Sequence, residues 1–148
     1  MTDEPKDLEI GDSAERTFAI TDAAVRAFAA VSGDDNPVHL DDDYARRTAF
    51  RGRVAHGMLL GAHISAVLGK DLPGPGSIYL SQTLSFEQPV KIGVEVMVRV
   101  TVAAKDETSR KLTLATICTV GDQVVATGEA VVIPPRRRKA QSSASMAE

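Results

Sequence analysis

The sequence predicts an α+β fold in which an antiparallel sheet wraps around one buried helix. Three observations carry that expectation. The stretch "VAHGMLLGAHISAVLG", Val54 to Gly69, is almost free of charge, too apolar all round for a surface helix and too short to span a bilayer. Four later stretches are rich in β-branched and alternating residues. Asp106 to Ser109 and Gly121-Asp122 supply natural turns between the last three of them, which favours hairpins.

The elements follow in chain order. "MTDEPKDLEIGD" is acidic and lacks a basic region followed by an apolar run, so no secretory signal is expected. "ERTFAI" reads as an early strand. In "TDAAVRAFAAVSG", Val25, Phe28 and Ala29 fall near helical spacing, with Thr21 or Asp22 as N-cap and Gly33 as a stop. "DDDYARRTAF" opens on aspartates suited to the positive end of a helix, and its charges suggest exposure. The buried helix comes next, then the turn-rich loop "DLPGPGS". The strands are "IYLSQTLSFEQPV", "EVMVRVTVAAKD", "KLTLATICTV" and "QVVATGEAVVI". Tyr79 and Phe86 are an odd number of positions apart on the first of these, which places them on opposite faces. No internal repeat and no Gly-rich nucleotide loop is present. The expected organisation is one domain over residues 1–133 and a solvated basic tail, "PPRRRKAQSSASMAE", over 134–148. Arg136 to Lys139 in that tail either touch an anion or serve solubility.

Composition excludes some functions. At 148 residues, 43% hydrophobic and 25% charged, the chain resembles an ordinary globular domain rather than a disordered one. A formal charge of -3 gives no electrostatic case for nucleic acid as a partner. No segment approaches the roughly 20 apolar residues needed to cross a membrane. The one cysteine, Cys118, lies in "LATICTV" and reads as a small core thiol, consistent with a reducing, cytoplasmic setting.

The chemistry concentrates in "SGDDNPVHL", residues 32–40. Pro37 excludes a continuous helix there, pushes Asn36 towards extended geometry and forces a turn. Such a turn can bring Asp34 and His39 to one pocket. Ionised Asp accepts hydrogen bonds only, His gives or takes a proton near neutral pH, and Asn does both jobs as a hydrogen-bonding group. Together they suit the holding and activation of one water. The plain alternative is that Asp34, Asp35 and Asn36 form Asx turns and His39 caps something nearby.

The stretch "SGDDNPVHLDDDYA" resembles the D-x-N-P-x-H signature of the MaoC-like, (R)-specific enoyl-CoA hydratases, the hydratase 2 family, with Asp34, Asn36, Pro37 and His39 all intact. The likeness continues through "TAFRGRVAHGMLLGAHISAVLG" and "LPGPGSIYLSQTLSFEQPVKIGVEV", covering roughly Leu8 to Ile133. It matches the short single-domain members that serve polyhydroxyalkanoate synthesis. The resemblance implies a hot-dog fold, a homodimer joined edge to edge, and reversible hydration of trans-2-enoyl-CoA to (R)-3-hydroxyacyl-CoA without a cofactor. It implies catalytic roles for Asp34, His39 and Asn36, and makes the backbone N–H of Gly57 the donor to the thioester oxyanion, against a glycine needed only for tight packing. The acyl chain would run along the apolar helix, where Leu60 and Ile64, with Leu59 and Val67, are candidate lining residues or plain core.

Some further residues carry two readings. His56 and His63 are seven apart, whereas four is the usual two-ligand spacing, and no acidic partner is evident nearby, so no metal is expected. The aspartates of residues 34–43 lack the pattern of a calcium loop. Arg46, Arg47, Arg51 and Arg53 suit the anionic carrier at a tunnel mouth, or are solvated decoration. Rival functions are a 3-hydroxyacyl-[acyl-carrier-protein] dehydratase of the same fold, a hot-dog thioesterase, and a non-catalytic acyl-binding module.

Overall fold

The computed structural model describes residues 7–136. In chain order these form β1 (Ser13–Ala19), α1 (Asp22–Ser32), α2 (Pro37–Leu40), α3 (Asp42–Arg46), α4 (Gly57–Lys70), β2 (Ile78–Gln82), β3 (Ser85–Phe86), β4 (Glu95–Lys105), β5 (Leu112–Val120) and β6 (Gln123–Ile133). The basic run from residue 137 onward lies outside the described residues. The strands make one six-stranded sheet in the order β1-β4-β5-β6-β2, with β3 also paired to β6 and every pairing antiparallel.

Alternation decides which face of the sheet receives α4. Val96, Val98, Val100 and Val102 of β4 are all buried, as are Leu112, Leu114 and Cys118 of β5. They meet Leu60, Ile64, Val67 and Leu68 of α4 in one hydrophobic cluster. Each such side chain contributes about 1.5–3 kcal/mol on leaving water. α1 ends as its residues dictate: the Thr21 side chain accepts from the Ala24 N–H at 3.0 Å, and Gly33 adopts φ 83°, donating to the Ala29 carbonyl.

The charge-free stretch is not helical from its first residue: α4 starts at Gly57, because the Ala55 N–H donates to the Val90 carbonyl and Val54 bridges Lys91 in an extended strand-like pairing. One strand differs from expectation. The first long strand is broken into β2 and β3, with a register shift between Tyr79 and Ser81. Counting across that break fails, so the parity argument for Tyr79 and Phe86 does not hold. Between the pieces, the Thr83 N–H donates to the Glu129 carbonyl and the chain passes directly over Gly128 of β6.

Cys118 is fully buried, and burial pushes its thiol up to about 11. A thiol reagent at pH 8 should leave the native protein unmodified and titrate one thiol once denaturant is added; rapid native labelling would show that β5 opens locally. Among the described residues no helix is long and apolar enough to cross a membrane.

Candidate active site

The turn after α1 is built by its own side chains. The Asp34 N–H donates to the Ser32 hydroxyl at 3.1 Å, the Asp34 carboxylate accepts from the Asn36 N–H at 3.3 Å, and the Asn36 side-chain oxygen accepts from the Val38 N–H at 3.2 Å. Pro37 occupies the first turn of α2, where its missing N–H costs nothing. Asp34 and Asn36 thus make the Asx-type contacts that the plain reading expects. They also line a cavity of about 550 Å³ together with His39, His56, Gly57 and Phe86. Because the Asn36 oxygen is engaged in the turn, its NH2 group is the part left for a ligand.

A second segment, residues 53–56, holds this turn from behind. The Val54 N–H donates to the Val38 carbonyl at 3.3 Å. Nδ1 of His39 lies 2.7 Å from the Val54 carbonyl, and Nε2 of His56 lies 2.9 Å from the Asp34 carbonyl. A carbonyl oxygen only accepts, so each of these nitrogens carries the proton. The neutral His39 ring is therefore fixed with Nε2 as its acceptor. The imidazoles of His39 and His56 stack with centroids 3.8 Å apart at 26°. Nδ1 of His56 is buried without a hydrogen-bond partner.

His56 therefore does have an acidic neighbour, contrary to the sequence expectation: ligand-type atoms of Asp34, His39 and His56 lie within 4.8 Å of one another. The two rings are stacked face to face, and Nδ1 of His39 and Nε2 of His56 are each committed to a carbonyl, which leaves one nitrogen per ring for any other partner. His63 is elsewhere, stacked on Phe18 at 4.0 Å, and burial lowers its pKa.

Gly57 begins α4, and no side chain caps that helix end. Gly57 and Met58, at the positive end of this 14-residue helix, both line the cavity. The Phe86 ring covers Gly57 so closely that an added Cβ would stand 2.8 Å from it. Leu60 lines the cavity; Leu59, Ile64 and Val67 are buried in the core outside its lining. Nor does the arginine group form one cluster: Arg46 pairs with Asp43, and the Arg53 side chain is turned inward onto Asp22 and the His39 carbonyl. His56, Phe86 and the inward Arg53 are the contributors that sequence reasoning did not assign, and each is placed by contacts with residues distant in the chain.

An antiparallel sheet around one helix, with an Asp/His turn poised at that helix's N-terminus, is the hot-dog arrangement in its hydratase form. The family model described as MaoC like domain matches residues 8–125, and the chain belongs to this family. It is 46% identical over 132 residues to the (R)-specific enoyl-CoA hydratase of Rhodospirillum rubrum, covering 89% of this chain and 92% of that one. The solved structure of an (R)-hydratase from A. caviae involved in PHA biosynthesis superposes with a TM-score of 0.85 at 47% identity, covering 86% of this chain and 98% of that chain. A mitochondrial 3-hydroxyacyl-[acyl-carrier-protein] dehydratase of Arabidopsis thaliana is more distant, at 35% identity over 93% of this chain and 84% of that one.

Proposed function

We infer that the chain is an (R)-specific enoyl-CoA hydratase, interconverting trans-2-enoyl-CoA and (R)-3-hydroxyacyl-CoA. The observation that carries the reading is the Asp34/His39 pair facing an uncapped helix N-terminus across one cavity, in a chain close to hydratases over nearly its whole length.

The chemistry needs a base for water, an acid for C2 and donors for the charge that develops on the thioester oxygen. The Asp34 carboxylate and the His39 imidazole lie within 4.8 Å of one another, near enough for a single water to bridge them. The Asn36 NH2 group orients that water. As the water oxygen bonds to C3, the pair takes one of its protons and returns a proton to C2, so the enzyme ends each turnover as it began. The thioester oxygen lies at the Gly57 N–H, where the end of α4 favours negative charge. The acyl chain leaves past Leu60. No metal or cofactor enters this scheme.

The active form is proposed to be a homodimer. β2 is an outer strand of the sheet, yet Ile78 and Leu80 on it are exposed, as are Phe86 and Met58 beside the cavity. An apolar edge of this kind is stable in water when a second edge covers it. Leu80→Lys should yield a folded monomer by light scattering with little turnover; a dimer of full activity would move the interface elsewhere. A cytoplasmic setting and a supply of (R)-3-hydroxyacyl thioesters for polyester synthesis complete the proposal, supported by the buried lone thiol and by the likeness to the A. caviae hydratase.

Loss of enoyl absorbance on adding crotonyl-CoA or trans-2-octenoyl-CoA tests the reaction, and chiral analysis of the product tests its hand. Faster turnover on the matching acyl carrier proteins would favour the dehydratase reading, and release of free thiol a thioesterase.

A further inference from the structure

α2 is a single turn, and its last carbonyls have no helical partners to accept from. Two guanidinium groups supply them. Nε of Arg53 donates to the His39 carbonyl at 2.7 Å, and Nη2 of Arg26 reaches the Leu40 carbonyl at 3.4 Å. Both arginines are gathered by one carboxylate: Asp22 accepts from Arg53 at 2.7 Å and from Arg26 at 3.0 Å. The Arg53 side chain is only 9% exposed, whereas those of Asp22 and Arg26 are about half exposed. A nearly buried cation needs a fixed counter-charge and satisfied donors, and this arrangement provides both.

We propose that Arg53, held by Asp22, is a positioning residue that sets the orientation and tautomer of His39. The His39 side chain is anchored by Nδ1 to the Val54 carbonyl, and its main chain by the Arg53 guanidinium. Both anchors belong to adjacent residues of one segment, so His39 is gripped at two points and Nε2 is left facing the cavity. This role differs from that of a cation for the phosphates of the substrate: Arg53 does not line the cavity, and two of its donors are already engaged inside the protein. The inference rests on the hydratase reading for its kinetic consequence, but not for its structural one.

The test uses Arg53→Met, Arg53→Lys and Asp22→Asn in the full chain. With crotonyl-CoA, Arg53→Met should lose about 100-fold in kcat, the scale of a misplaced catalytic group, with KM changed less than about threefold. Arg53→Lys should recover part of that loss, since an ammonium can keep one of the two contacts. Asp22→Asn, at an exposed carboxylate, retains acceptor capacity and should give a smaller loss of the same kind. Nitrogen-15 NMR of the imidazoles supplies a readout independent of turnover: His39 should be the Nδ1–H tautomer in the wild type and a mixture in Asp22→Asn and Arg53→Met. A raised KM with unchanged kcat would make Arg53 a substrate contact and overturn the proposal. An unshifted His39 tautomer in folded variants would do the same. Absent wild-type turnover would count against the hydratase reading, while the NMR comparison would still decide the clamp.

Discussion

Asp34→Asn and His39→Gln should each lower kcat for crotonyl-CoA by about a thousandfold while leaving the fold and its melting temperature nearly unchanged. The substitutions keep the local scaffold. Asparagine at 34 retains an oxygen to accept from the Asn36 N–H, and glutamine at 39 retains an amide that can donate to the Val54 carbonyl, the two contacts the wild-type side chains make. What disappears is the ability to hold a proton taken from water. A thousandfold loss is about 4 kcal/mol of transition-state stabilisation, too much for the loss of one ordinary hydrogen bond. If the two groups share one water as proposed, the double variant should be little worse than either single one. Turnover within threefold of wild type in either variant would return "SGDDNPVHL" to the status of a turn, and the activity would need another centre.

Gly128→Ala should be the most destabilising single methyl in the sheet, costing about 3 kcal/mol and roughly 10 °C in Tm. An added Cβ there would stand 1.9 Å from the Thr83 carbonyl oxygen and 2.8 Å from its carbon. Those are backbone atoms, tied by the Thr83 N–H to the Glu129 carbonyl, so no side chain can swing away to relieve the overlap. Relief requires moving the link between β2 and β3, and with it Phe86 over Gly57. A melting temperature within 2 °C of wild type would show that this link yields easily. Gly57→Ala is different in kind, because the overlapping atoms belong to the tip of the half-exposed Phe86 ring, which can rotate.

Periodicity and turn chemistry made much of the fold legible. Helix α1 has the Thr21 cap and the Gly33 stop the sequence shows, and the three long strands fall where alternation and the two turns put them. The extended pairing at Val54 and the strand break at Thr83 were not legible, because each is set by hydrogen bonds to a residue dozens of positions away. The same holds for the site. Asp34, Asn36 and His39 share a short motif and were visible as a unit. That His39 is anchored by Val54, that His56 is tied to Asp34, and that Arg53 points inward are contacts between segments 14 to 22 residues apart. Nothing in the local spacing of "FRGRVAHG" distinguishes an arginine that faces a ligand from one that braces a helix.

The uncapped end of α4 has a consequence for how this protein can be made more heat-resistant. A helix start with no side-chain acceptor gives up about 1 kcal/mol relative to one with Ser, Asp or Asn at the cap. The cap position is His56, so a consensus-minded redesign would replace it, and in a melting assay that change could look like an improvement. It would also detach the ring from the Asp34 carbonyl and place a competing oxygen at the amides proposed to hold the thioester oxygen. Selection on stability alone should therefore drift away from activity at this one residue, and screens of variants should score both properties together.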